Sequence, residues 1–290
     1  MNLFPFSLTK DKEDIKIIDF NFVSLKPLLK IEYTFEIIKN LERILELFFD
    51  NLTLTPSLDI QHIIIIGKKG KLFLGKNVHI EGVTVVNLSK GSVFISDNVT
   101  LKNFNSIEGP VYIGEGSTLD SSTIRGPFVC GKVCKISGEI EESLFFDYVN
   151  KHHYGFIGHS IVGSWVNLGA GTTNSDLKNN YSTIKVFDGK DYIDTRMQKF
   201  GCIIGDHVKT SIGTMINTGT VIGPFSNIFQ DIRDKKYIKP FSWGNEKIYE
   251  KEKLIDDIKK VMARRDLSPD EEFIRRISNL YEIYSSESTF

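Results

Sequence analysis

The chain has 290 residues, 41% hydrophobic and 25% charged, enough to bury a full core as one elongated domain or as a domain with appendages. Its 36 Lys and Arg against 37 Asp and Glu leave a formal charge of -1, which removes the global basic field that nucleic acid or an anionic membrane would require. Cys130, Cys134 and Cys202 are an odd set without a CxxC pair, expected as small core residues in a reducing cytoplasm rather than as a disulfide framework or a zinc site.

In chain order, MNLFPFSLTKDKED lacks the charged n-region and long apolar h-region of a signal peptide, and no later run is long enough to span a bilayer. From about residue 30, Phe35, Ile38, Leu41, Ile44, Leu45 and Phe48 line one face of an amphipathic helix. IIII at residues 63 to 66 is the longest purely apolar run and predicts a buried strand. Then aliphatic residues recur every six positions: Ile95, Leu101, Ile107, Ile113 and Leu119, later Val162 and Leu168, then Ile204, Ile216, Ile222 and Ile228, with Thr210 in the remaining place. A helix would need steps of three and four, and hairpins would need longer alternating runs. A six-residue period predicts short strands joined by tight turns, one aliphatic side chain per six pointing inward: an all-β solenoid, the parallel β-helix of hexapeptide repeats. Stacked coils then bury one continuous aliphatic column.

Two stretches break the period. GEIEESLFFDYVNKHH is irregular, and the polar segment 174 to 199 is expected to leave the prism as a long loop, a length that usually marks function or disorder. The last part reads as two helices broken at LSPDEE, with Ser268 as cap and Pro269 in the first turn. The expected organisation is an N-terminal helical segment at 1–58, the β-helix at 59–230 and a C-terminal helical segment at 231–290, the appendages serving as lids or packing arms.

IRGPF at 124 to 128, SLFFDYVNKHHYGFIGHSIVGSWVNLGAGTTNSDLKNNYSTIKV, IIGDHVKTSIGTMINTGTVIG, PFSWG and VMARR resemble the acetyltransferase half of the bacterial bifunctional glucosamine-1-phosphate N-acetyltransferase / N-acetylglucosamine-1-phosphate uridyltransferase family, in a variant form. The resemblance covers roughly residues 107 to 265. It implies left-handed winding, against the usual crossover preference, and a homotrimer packed through the open flanks of the prism. It also implies acetyl-CoA as co-substrate, an amino sugar phosphate as acceptor, a role in nucleotide-sugar precursor synthesis, and no metal. Nothing in residues 1 to 110 resembles the family's Gly-rich nucleotide loop, so the UTP-dependent step is expected to be absent and to fall to a separate uridyltransferase.

The resemblance makes His153 the general base, since an ammonium is no nucleophile and imidazole, with an ordinary pKa of ~6.5, accepts a proton near neutrality. If the segment is a strand, His152 points the other way and is a bystander. Lys151 and Arg125 are candidates for the sugar phosphate, and Asn167 matches a family position for the sugar, with an asparagine ladder as the plain alternative. Along the loop, Asn180 and Tyr181, or Asn174 to Asp176, stand where the family has its substrate motif, and Lys185 or Lys199 would supply a lysine. Phe156 replaces a family Tyr. For acetyl-CoA the candidates are Ser211, Thr218, Gly219 and Arg233, with Lys235 and Lys236 nearby; each is equally an ordinary turn or solvated residue. Two other readings stay open: a β-helical binding or scaffold protein without catalysis, and an acyltransferase acting on another amino sugar.

Overall fold

The computed structural model describes residues 33–57, 61–244 and 247–286. The opening stretch read against a signal peptide lies outside them. From Ile63 to Trp243 the chain winds as a parallel β-solenoid. One sheet stacks nine strands in parallel register from Leu72–Leu74 to Tyr237–Ile238. The other long sheet begins with Ile63–Ile66, whose Ile63 pairs with Thr84, and Thr84 in turn with Asn105.

The six-residue spacing is the inside of this prism. Ile95, Leu101, Ile107, Ile113 and Leu119 are fully buried, and Val162, Leu168, Ile204, Ile216, Ile222 and Ile228 belong to the same core. Thr210 fills its inward place by a hydroxyl contact of 2.7 Å to Thr172. The run at 63 to 66 is a strand but not a buried one. It lies in the first coil, paired on one side with Thr84–Asn87, and leaves Ile64 and Ile66 about half exposed. The prism also passes the expected boundary at 230, because Ile232 and Ile238 supply two further inward aliphatics and Tyr237–Ile238 pairs with the coil below.

One corner of each coil sits in the left-handed region, where non-glycine residues are uncommon. At Asn77 and Asn98 the side-chain amides bond along the axis. Higher up the same corner holds rings. Tyr148 stacks on Trp165 at 4.1 Å, Trp165 on His207 at 5.9 Å, His207 on Phe225 at 5.2 Å, and Phe225 on Phe241 at 5.2 Å. Helices α3 (Lys251–Ala263) and α4 (Glu271–Ser286) pack on this corner through Leu254, Ile258, Ile277 and Tyr284. Burial there pushes the His207 imidazole down to about 3, so it stacks as a neutral ring. The cap of α4 is Asp270, whose carboxylate accepts the Phe273 N–H at 2.7 Å, rather than Ser268.

The N-terminal helix is two pieces, α1 (Glu36–Lys39) and α2 (Leu41–Asp50), divided at Asn40. Its apolar face covers the outward side chains Val129, Leu144, Ile161, Ile203 and Val221 of the nine-stranded sheet. Segment 174–199 leaves the prism between two adjacent coils, since Ile161 pairs directly with Ile203. It is ordered by a hairpin, Lys185–Phe187 against Tyr192–Asp194, and by Ile184, Val186 and Phe200, which pack beside α1 and α2. The three cysteines are buried and unpaired with one another. No described helix is long and apolar enough to cross a membrane.

Candidate active site

The inward column Leu101, Leu119, Ile136 continues, in register, to Lys151. A lysine thus takes an aliphatic place, which is why its side chain is only 2% exposed. Its amine donates to the Ser137 carbonyl at 2.7 Å and the His153 carbonyl at 2.9 Å, and burial pushes it down to about 8. Gly138 makes the room, because a Cβ there would stand 2.9 Å from Nζ. The expectation that Lys151 reaches out to a sugar phosphate does not match this placement. It holds the bend at 152 to 155 from beneath.

That bend, rather than a strand, carries the two histidines: the strand Asn150–Lys151 ends before them and the next begins at Phe156. Strand alternation therefore does not separate them, and their rings lie 5.7 Å apart. His153 is exposed, and among the described residues its ring has no hydrogen-bond partner. His152 is half-buried; its Nδ1 is enclosed without a partner among those residues, and burial pushes its pKa down. Tyr154, 74% exposed, stands over Gly171.

On the flank beside the bend, Glu139 pairs in register with Phe156, and Glu141 with Gly158. Arg125 binds Glu139 and lies 4.0 Å from Glu141, while Lys199 reaches the same Glu141 at 3.0 Å. The hydrogen bond to Glu139 raises the Arg125 pKa, and that to Glu141 raises Lys199. The structure thus brings Arg125 and Lys199 together, but through a shared carboxylate. One coil turn away, His159 donates Nδ1 to Asp176 at 2.8 Å and faces Glu142 through Nε2 at 3.3 Å. Burial opposes a charged ring there, yet the two carboxylates outweigh it and hold His159 up to about 9. Glu141, Glu142 and His159 lie close enough to suggest a metal site. His159 also bridges Glu142 and Asp176, and through Asp176 it ties the start of the 174–199 segment to the prism.

The other expected residues are dispersed. Asn167 accepts from Asn150 Nδ2 at 2.6 Å, the asparagine-ladder alternative. Asn180 turns its side chain back onto the Ser182 N–H, Tyr181 is 64% exposed with its carbonyl held by Gln198, and Lys185 projects from the hairpin. No hydrogen bond or ion pair among the described residues joins these three to Arg125 and Lys199. The Ser211 hydroxyl lies 3.3 Å from that of Thr214. Thr218 donates its hydroxyl to the Phe200 carbonyl, the Gly219 N–H is taken by Gly201, and a Cβ on Gly219 would strike the Lys185 carbonyl. The backbone expected to meet a pantetheine arm at 218 and 219 is therefore covered by the 174–199 segment. Arg233 is paired with Asp231 at 2.9 Å on the surface.

Glu139, Glu141, Glu142 and His159 were not anticipated, and Asp176, expected as part of an alternative substrate motif, is bound to His159. A signal existed: His159 and Asp176 are 17 residues apart, the separation that stacks side chains on successive coils.

No family model matches the chain. Over 143 residues, 48% of the chain, it is 34% identical to a bifunctional sugar-1-phosphate nucleotidylyltransferase/acetyltransferase of Sulfurisphaera tokodaii, covering 36% of that protein. Over 189 residues, 59% of the chain, it is 30% identical to the bifunctional protein GlmU of Wigglesworthia glossinidia brevipalpis, covering 38% of it. The chain thus spans little more than a third of these curated relatives. A solved Bacillus cereus protein, described as a "putative acetyltransferase", matches 76% of this chain and 98% of its own at 13% identity with a TM-score of 0.40.

Proposed function

We propose that this chain, similar to the acetyltransferase half of those bifunctional proteins, is an acetyl-CoA-dependent N-acetyltransferase whose acceptor is an amino sugar phosphate of the glucosamine 1-phosphate kind. One observation supports it above the others: His153 presents an exposed, unbonded imidazole on a bend whose backbone is held by a buried lysine. In the transfer, the acceptor amine gives a proton to the His153 ring and attacks the thioester carbonyl. The tetrahedral adduct then expels the CoA thiolate, which takes up that proton. Positioning of this kind is what a general base requires before its pKa matters. The reading includes a homotrimer that places acetyl-CoA in the groove between prisms, a cytoplasmic location, and no uridyltransferase step in this chain.

Pairing of Arg125 and Lys199 with Glu139 and Glu141 supports a second reading, a β-helical binding protein without turnover. Thiol release from acetyl-CoA against a panel of amino sugars and their phosphates separates the two. Turnover is expected, with His153→Ala slower by ~10² to 10⁴ at unchanged melting temperature. Equal rates for variant and parent would remove His153 from the mechanism, and tight binding of an amino sugar without turnover would favour the second reading.

A further inference from the structure

The cations around the histidine bend fall into two groups. Arg125 and Lys199 have carboxylate partners, and Lys151 has two carbonyls. Lys135, Arg264 and Arg265 have no carboxylate at ion-pair distance among the described residues. Their approach follows from the fold. Lys135, Asn150, Asn167, Lys209 and Asn227 are successive rungs of one outward ladder. Helix α3 lies along it: Asp257 accepts the Tyr249 hydroxyl at 2.6 Å, and its charge acts on Lys209. Arg264 and Arg265 are seven and eight residues farther on. At ~1.5 Å per helical residue that distance spans about two rungs of ~4.8 Å, which brings the end of α3 alongside Asn150, one rung from Lys135 and within reach of two arginine side chains.

The electrostatics agree with this placement. Burial lowers the Lys135 pKa, and the charges of Arg265, Arg264 and Lys102 lower it further. Lys102, at the rim, is 3.9 Å from Glu81 and largely solvated. The carboxylate that faces His152 is Asp120, which already accepts from Asn103 and Ser121. His152 belongs to the same group, lowered by burial and then by Lys135, with an enclosed Nδ1 that has no partner among the described residues. Lys135, Arg264 and Arg265, without a carboxylate partner among the described residues, stand beside an imidazole nitrogen that is also unpartnered there, an arrangement suited to an anion with several acceptor oxygens. A phosphate monoester carries about -1.5 to -2 at neutral pH and matches the forked donors of arginine. The overall charge of -1 argues against a polyanion such as nucleic acid.

We infer that Lys135, Arg264 and Arg265, with Lys102 at the rim and His152 at the base, form a phosphate-receiving site beside His153. It takes the phosphate monoester of one reactant, either the sugar phosphate of the acceptor or the 3′-phosphate of the acyl-CoA. The identity of the reactants rests on the proposed acetyl transfer; the site itself does not.

Calorimetric titration of the full chain with glucosamine 1-phosphate and with adenosine 3′,5′-bisphosphate tests it, against glucosamine and adenosine 5′-phosphate as controls without the ester in question. The double variant R264Q/R265Q is expected to lose about 10- to 100-fold in affinity for one probe, to keep parental affinity for the other, and to melt as the parent does. The probe that loses affinity identifies the reactant. Nitrogen signals of the His152 imidazole should shift when that probe saturates the parent. A parent that binds neither probe at millimolar concentration, a double variant that binds both as the parent does, or His152 signals that stay still at saturation would each overturn the inference. Binding is read without turnover, so a chain inactive on every amino sugar that still binds through these residues keeps the site and loses only the acetyl-transfer reading. An active enzyme whose affinities ignore R264Q/R265Q does the reverse.

Discussion

In the lower coils the inward places are aliphatic without exception along Leu101, Leu119 and Ile136, or Ile107, Ile124 and Ile140. In the coils between Asn150 and Ile216 the same columns turn polar: Lys151 follows Ile136, and Asn174 precedes Ile216. The lower coils are aliphatic along these two columns, with buried Thr84, Asn105 and Ser122 beside them. The upper coils carry the histidine bend above Lys151 and the departure of segment 174–199 after Asn174. Asn174 accepts the Gly158 N–H at 2.8 Å and donates to the Gly158 carbonyl at 3.0 Å, closing the place where the prism is interrupted. At Lys151 and Asn174 a polar group inside the column sits where the chain stops repeating, and its hydrogen bonds replace the packing that an aliphatic would supply, whereas Thr210 fills an inward place in a coil that continues.

The contrast can be broken most severely in the regular half. Ile113→Asp buries a charge among aliphatics that offer no partner, at a cost of several kcal/mol, about the whole stability of a domain. The variant should be insoluble or molten by circular dichroism, and parental stability would mean that Ile113 points outward. In the irregular half, Asn174→Leu restores an aliphatic column but leaves the Gly158 N–H unmet and takes one donor from its carbonyl, which keeps the Ser160 hydroxyl, so a loss of about 1–3 kcal/mol is expected by denaturant titration. A gain would show that the column, not the hydrogen bonds, governs that coil.

His159→Gln sharpens the comparison through pH. The folded His159 titrates at about 9 against 6.5 for the free ring, so its stabilisation is fully present below about pH 6.5 and is lost as pH rises through 9. The side chain of Glu142 is 42% exposed, so solvent screening reduces the effect, and about 2 kcal/mol is expected at pH 6. Lys151, lowered to about 8 from 10.5, acts in the opposite sense, adding stability as pH rises between those values. The measured quantity is therefore the parent-minus-variant difference, in which Lys151 cancels. A difference that stays flat from pH 6 to 10 would mean that the imidazolium is not what holds Glu142 and Asp176.

The smallest stability change belongs to Lys151→Met. It removes a buried amine while keeping the volume of the column, and it should lie within about 1 kcal/mol of the parent because the loss of two hydrogen bonds offsets the relief of desolvation. Transfer rate should fall at least about tenfold, since the His153 carbonyl is released. An unchanged rate would uncouple the bend from catalysis.

The parallel β-helix was legible because its cause is periodic: one aliphatic side chain per six residues, from Ile95 to Ile228, faces the same column whatever the neighbouring coils contain. The terminal helices were legible from their apolar faces. What the sequence did not disclose depends on which coils become neighbours. Lys151 looks like a surface cation until Ile136 fixes its register and turns it inward. Arg125 and Lys199 look free until Glu141 stands between them, 58 residues from Lys199 along the chain. Thr218 and Gly219 look accessible until segment 174–199 folds back over them. Arg264 and Arg265, just past the end of a distant helix, bring their charge to bear on Lys135 only because α3 lies along the ladder. The inward column is set by local spacing, which a linear sequence records. The charges of the flank are set by contacts between coils and by what packs on them, and those distances exist only once the prism is wound.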